Sequence, residues 1–188
     1  YPGRTFAGML AVVACFALYY LATAFTLGYG TTRLGYSKQA FLQVQLGAIL
    51  FMAAGIVIAG CLSDRLDPRR VLMWGCLGTI LTGFLLAPMM DSGSLAVIFV
   101  FLSLALLAMG FVYGPLGAWL PGLFPPRVRY TGSSLAFNLG GILGGALSPA
   151  LAQMMSDKGG LVPVGLYLAG AAIVSLVSLL LVGRAGQD

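Results

Sequence analysis

The sequence contains no glutamate and no histidine, and its five acidic residues are all aspartates. With ten Lys and Arg, charged residues reach only 8% of 188, too few to clothe a water-soluble domain of that size. The lack of histidine removes the usual general base or metal ligand of a serine or zinc protease. An aspartyl enzyme working in the membrane would need Asp within two apolar spans. Asp64, Asp67, Asp91, Asp157 and Asp188 instead fall between spans or at the chain end, so no enzyme is expected. Cys15, Cys61 and Cys76 form no C-x-x-C and sit in or near apolar runs, where they read as small packing residues. Neither a disulfide framework, nor a metal site, nor a cofactor is expected.

What the sequence has is apolar length. Hydrophobic residues make up 60% of it, and its mean hydropathy is +0.99. Six runs, about 6–29, 40–62, 71–90, 94–120, 132–155 and 161–183, each suit a transmembrane helix. About 20 apolar residues cross the hydrocarbon core, and a helix satisfies its own backbone where water is absent. The gaps between runs hold the turn-formers and most of the charge and leave no room for a soluble domain. The expected architecture is an all-α membrane protein, a single six-helix bundle over 1–188. The first run is read as a span rather than a signal peptide, since five more follow it.

Lys and Arg are retained on the cytoplasmic side of a span. Arg4, Arg65, Arg69, Arg70, Arg127, Arg129 and Arg184 fall on one side, against Arg33, Lys38 and Lys158 on the other. Both termini are therefore expected in the cytoplasm. The net charge of +5 then reflects this asymmetry and contact with anionic lipid headgroups, and nucleic acid is not an expected partner.

Residues 60–70, GCLSDRLDPRR, carry five of the fifteen charges in the chain. A positive anchor explains Arg65, Arg69 and Arg70 but not the two carboxylates. Asp67 followed by Pro68 reads as an N-cap with proline at the first helical position. Asp64 has a carboxylate to offer to an arginine or to the positive end of a neighbouring helix.

Gly60, Leu62, Ser63, Asp64, Arg65, Arg69 and Arg70 resemble the motif that joins the second and third helices of each half of the major facilitator superfamily. Asp67 replaces the usual glycine and Pro68 a frequent basic residue. A second stretch, residues 114–153, is similar to helices ten and eleven of the metabolite:H+ symporter family within it, which includes shikimate, α-ketoglutarate and proline/betaine transporters. The shared residues are Leu123, Phe124, Pro125, Arg127, Val128, Arg129, Tyr130, Thr131 and Gly132, while Gly122 stands where the family usually has Glu.

The resemblance covers nearly the whole chain and implies the C-terminal six-helix half of a twelve-helix transporter. The chain begins with Tyr1 rather than Met, and the expectation is a fragment whose N-terminal half lies elsewhere. The implied activity is secondary transport of a small organic metabolite, a carboxylate or zwitterion, by proton symport with alternating access in the bacterial inner membrane. Gly60, Asp64, Arg65, Arg69, Arg70, Arg127 and Arg129 would form a conformational switch against the missing half. The first, second, fourth and fifth spans would face the cavity or that half, and the third and sixth lipid. Because no span holds an acid or a histidine, a proton carrier would belong to the other half. The alternative from a different class is a self-standing six-helix protein acting as an oligomeric channel or scaffold.

Polar groups at membrane depth face protein or water. Tyr19, Tyr20, Thr23, Gln43, Gln45, Ser134 and Asn138 are thus cavity candidates or interhelical hydrogen-bonding groups, and Tyr113 and Trp119 are cavity candidates or interface anchors. Gly140 with Gly144 and Gly141 with Gly145 make two overlapping G-x-x-x-G pairs, read either as close helix packing or as a surface where the halves slide.

Overall fold

The computed structural model describes residues 1–185, with side chains through Val182. Asp188 and the side chain of Arg184, both counted above, lie outside the described residues. Among the described residues, six helices long and apolar enough to cross a membrane follow one another: α1 (Pro2–Thr32), α2 (Lys38–Arg65), α3 (Pro68–Met90), α4 (Leu95–Gly122), α5 (Arg129–Gly159) and α6 (Leu161–Ala185).

Local chemistry sets their ends. Ser37 Oγ accepts from the Ala40 N–H at 3.2 Å to open α2. Asp67 Oδ1 accepts from the Arg69 N–H at 3.0 Å to open α3, with Pro68 at its first position. The carboxylate therefore satisfies a backbone donor that the helix leaves orphaned. Asp67→Ala is expected to lower the stability of the folded protein by about 1 kcal/mol, measured as a small fall in melting temperature in detergent. A single residue, Gly160, with φ of +71°, turns the chain from α5 into α6.

The principal packing partners are α2 with α4, α3 with α6, α1 with α5, α3 with α4, and α1 with α6. Exchanging α1 with α4, α2 with α5 and α3 with α6 maps this set onto itself. Three is odd, so successive crossings make the two triplets run in opposite directions. The bundle is an inverted repeat of three helices.

Glycine makes the closest crossings. A Cβ on Gly55 of α2 would lie 2.6 Å from the Leu107 carbonyl of α4, and one on Gly110 would lie 2.7 Å from the backbone of Gly55. Gly83 and Gly165 oppose each other in the same way between α3 and α6. Lipid tails are as apolar as leucine, so helices gain little by burying leucine against leucine. They gain by close packing, which small residues permit.

The third and sixth spans show how hydroxyls are accommodated. They turn outward faces that include Trp74, Leu77, Leu81 and Phe84 on α3 and Val162, Leu166, Val177 and Leu181 on α6. Thr79, Thr82, Ser175 and Ser178 point inward and are buried. Ser175 Oγ accepts from the Ala14 N–H at 2.9 Å and donates to the Leu10 carbonyl at 2.7 Å, bridging both ends of one rung of α1. Ser178 Oγ donates to the Ala7 carbonyl at 2.7 Å. These residues latch α6 to α1 and keep polar groups away from the outer face.

Candidate functional site

Two adjoining hollows of about 370 Å³ each run along α5 and share Phe137 and Asn138. The first lies between α5 and the last part of α4, where Tyr113, Gly117 and Pro121 face Tyr130, Ser134 and Asn138. The second lies between α5 and α1, where Phe16 and Tyr20 face Gly141, Gly145 and Pro149. From Tyr130 to Pro149 the groove follows roughly 28 Å of helix at about 1.5 Å per residue, close to the thickness of the hydrocarbon core.

Its wall is neutral. Asn138 Nδ2 donates to the Ser134 carbonyl at 2.8 Å and lies 3.4 Å from Ser134 Oγ, which leaves the amide oxygen of Asn138 as an acceptor toward the groove. Tyr20 and Tyr113 are both exposed and add phenolic edges. Phe16 and Phe137 meet edge to face, with ring centroids 5.0 Å apart, and form an aromatic floor.

Four of the expected cavity residues thus come together: Tyr20, Tyr113, Ser134 and Asn138. Three do not. Tyr19 is half-buried, packed against the core with its ring 5.5 Å from that of Tyr20. Thr23 folds its hydroxyl back onto the Tyr19 carbonyl at 2.6 Å. Gln43 lies in a separate hollow with Lys38, Gln39, Leu42 and Leu46. The first span, expected to face the cavity or the other half, brings Phe16 and Tyr20 to the groove and turns most of its surface into the bundle. Its most apolar stretch is 61% buried, the most enclosed of the six, whereas that of α2 is 17% buried.

The glycine pairs divide by side. A Cβ on Gly140 would come 2.7 Å from the Met9 carbonyl, and one on Gly144 would run into the Val13 carbonyl, so this pair packs α5 on α1 of the same chain. Gly141 and Gly145 instead face the rings of Phe16 and Tyr20, with would-be Cβ contacts of 3.2 and 2.8 Å. The first pair is a packing contact within the bundle, and the second forms the floor of the groove.

Residues 6–187 match the Major Facilitator Superfamily. This chain belongs to that superfamily. It is 34% identical over 182 residues to the inner membrane metabolite transport protein YhjE of Escherichia coli, covering 94% of this chain and 41% of that protein. It is 32% identical over 180 residues to the citrate-proton symporter of Salmonella typhi, covering 92% and 40%, and 26% identical over 185 residues to the shikimate transporter of Escherichia coli, covering 96% and 42%. The chain therefore spans about two fifths of the length of the curated relatives it matches. No solved structure matches. The fold is a six-helix half of the superfamily's architecture, and the chain is a multi-pass membrane protein akin to metabolite transporters.

The superfamily motif in residues 60–70 splits in two. Arg69 turns into the bundle, where Nε donates to the Leu179 carbonyl at 2.7 Å and Nη2 to the Leu180 carbonyl at 3.1 Å. It supplies donors and positive charge near the last turns of α6, where carbonyls are short of both. Asp64, Arg65 and Arg70 are exposed, and among the described residues their side chains have no hydrogen-bond or ion-pair partner. Gly60 has nothing within 4 Å of a would-be Cβ, so packing inside this chain does not require glycine there.

The second motif is also partly turned inward. Gly132 packs so tightly on Phe124 that a Cβ would enter its ring. Arg129 Nε donates to the Phe124 carbonyl at 3.3 Å, and Arg4 Nη1 to the Leu123 carbonyl at 2.9 Å. Both acceptors are backbone carbonyls just beyond the end of α4. Arg127 stays exposed, with no side-chain partner among the described residues. Of the residues expected to form a switch, Asp64, Arg65, Arg70 and Arg127 are thus exposed without a side-chain partner among the described residues, whereas Arg69 and Arg129 bond backbone carbonyls within the chain.

One residue that matters was poorly resolved by sequence reasoning. Gln45 stood among the polar residues of α2 with no reason to prefer it to Gln43, yet it alone reaches α1, donating to the Thr23 carbonyl at 2.7 Å. Phe41, Gln45 and Ala48 share a helix face, but the other faces of this helix are as apolar, so no local signal singles Gln45 out.

Proposed function

We propose that this chain is the C-terminal half of a secondary transporter that moves a small organic carboxylate or zwitterion by alternating access, with both termini of this segment cytoplasmic. The observation that carries the reading is the neutral groove along α5, which crosses the apolar depth and lies open on one side. Around it, α2 and α5 expose broad apolar faces that include Leu46, Leu50, Val57, Leu139, Ile142 and Leu147. Such faces suit a second half of comparable size, as does the length of the relatives. The groove, roofed by that half, would be the solute path, with Asn138, Ser134, Tyr20 and Tyr113 as its polar contacts.

Protons would be the coupling ion, as the name of the citrate-proton symporter states for that relative. Asp64, Asp67, Asp91 and Asp157 all lie in the end turns of helices or in loops, so the group that carries the proton would come from the other half. The test is uptake by the full-length protein in proteoliposomes, against labelled citrate, shikimate, proline and betaine, with and without an inward proton gradient. Gradient-driven uptake of one of these supports the reading, and uptake of none, with or without the gradient, contradicts it.

Asp64, Arg65, Arg70 and Arg127 would meet the other half in one state of the cycle and separate from it in the next. Asp64→Asn, which keeps shape and removes charge, is expected to slow maximal uptake by about 5- to 30-fold, the effect of losing one charge-assisted contact, while surface expression and KM stay near wild type. Unchanged maximal uptake would reduce these charges to topological anchors.

A further inference from the structure

The regular ladder of α1 breaks into a π-helical turn at Leu21–Phe25, immediately after Tyr20. The Thr26 N–H is shared between the Leu21 carbonyl, five residues back, and the Thr23 carbonyl, instead of bonding four back to Ala22. The Ala22 carbonyl is met by Thr26 Oγ1 at 2.8 Å and by Gln45 Nε2 of α2 at 3.3 Å. Gln45 Nε2 also donates to the Thr23 carbonyl at 2.7 Å and lies 3.2 Å from Thr26 Oγ1. A single amide from the neighbouring helix thus serves the backbone that the π turn displaces. At this depth an unserved carbonyl has no water to turn to.

The turn sits where the groove is shaped. Tyr20, the residue before it, lines the groove and lies over Gly145, and Thr23 inside the turn is tied to the Tyr19 carbonyl at 2.6 Å. Relaxing the π turn to regular α-helix would rotate the segment on one side of it by about 100°, one residue's worth of helical turn. Tyr20 would then leave its place on the groove wall. Gln45 is absent from the lining of both hollows, so any influence it has on the groove passes through α1.

We propose that Gln45 is a positioning residue for the transport site: its amide holds the π turn of α1, and the π turn holds Tyr20 on the wall of the groove. This rests on the transport reading for its functional meaning, but its structural core is testable apart from it. π turns recur at functional sites because the extra residue stores an alternative register. Here Gln45 is the side chain from another helix that holds the turn, beside the local hydroxyls of Thr23 and Thr26.

The experiment uses the full-length protein in membranes, with Cys61, the one exposed cysteine of this chain, and every cysteine outside this chain replaced by serine, and a reporter cysteine at Tyr20→Cys. Labelling by a membrane-impermeant maleimide reads whether position 20 faces the aqueous groove. Gln45→Leu is expected to change the labelling rate by about 3- to 20-fold, the range that interhelical hydrogen bonds of about 0.6 to 1.7 kcal/mol produce.

Gln45→Glu supplies the control for packing. A carboxylate facing two carbonyls is repelled, whereas the protonated acid has one O–H to donate. The rate in that variant, divided by the rate of the Gln45 protein at the same pH so that the common loss of thiolate cancels, should return toward one as pH falls. An unchanged rate in Gln45→Leu, or a changed rate in Gln45→Glu that does not recover at low pH, overturns the proposal. With Tyr20 restored, the same Gln45 variants should lower maximal uptake more than they raise KM, because no contact with solute is removed. If the full-length protein takes up no solute, the transport reading fails while the labelling still decides the role of Gln45.

Discussion

Gly144→Leu is expected to leave almost no folded protein, whereas Gly170→Leu is expected to be tolerated. The two substitutions are chemically identical and both fall in apolar helices. At position 144 the new side chain would start into the Val13 backbone of α1, and α1 is the helix with least room to move. At position 170 a Cβ meets nothing within 4 Å. Overpacking a filled site costs about 1 to 3 kcal/mol when side chains can adjust, and more when the obstacle is backbone. Folded proteins have only about 5 to 15 kcal/mol to lose. Leucine at 170 also removes a helix-interior glycine, which is favourable by up to about 1 kcal/mol. Size-exclusion profiles of the two variants in mild detergent make the comparison. A monodisperse Gly144→Leu would show that the α1–α5 contact is looser than described.

Asn138→Leu carries the second large effect, and on function rather than folding. The two side chains share the same branched heavy-atom skeleton, and Asn138 is exposed to the groove, so insertion and folding should survive. What is lost is the amide that lines both hollows where they meet, the polar contact to solute under the proposed transport reading. Leaving a polar solute group unmatched in a desiccated site costs about 1 to 3 kcal/mol, which predicts kcat/KM for uptake lower by about 5- to 150-fold. Gln43→Leu is the matched comparison, since that amide stands in a different hollow, and its uptake should stay within about twofold of wild type by the same reckoning. Equal effects of the two would place the solute path elsewhere.

The contrast between Gln43 and Gln45 shows what a sequence of this kind discloses. The six helices were legible because apolar length and clustered charge are one-dimensional signals, and Asp67-Pro68 gave the start of α3 to the residue. The direction of a side chain round a helix requires a phase. In a soluble helix, amphipathicity supplies it. Here nearly every position is apolar, so two glutamines two residues apart, about 200° apart round the helix, looked alike.

The same limit explains the arginines. Arg69 and Arg70 are neighbours in one motif, yet Arg69 serves the end of α6 while Arg70 faces outward. The partner carbonyls of Leu179 and Leu180 belong to a helix more than a hundred residues away. Nothing local in residues 60–70 announces them. The glycine pairs were visible as spacing, but only the position of α1 shows that Gly140 and Gly144 belong to packing while Gly141 and Gly145 belong to the groove.

The central claim, that the groove along α5 is one wall of an alternating-access path, is tested most directly by side-specific labelling. A cysteine at Asn138, in the full-length protein with Cys61 replaced by serine, is exposed to an impermeant maleimide added from the cytoplasmic face or from the opposite face. Alternating access predicts reaction from either side and a shift in the ratio of the two rates when transported solute is present. Reaction from both faces with a ratio that solute never changes would describe an open pore, and no reaction from either face would remove the groove from the solute path.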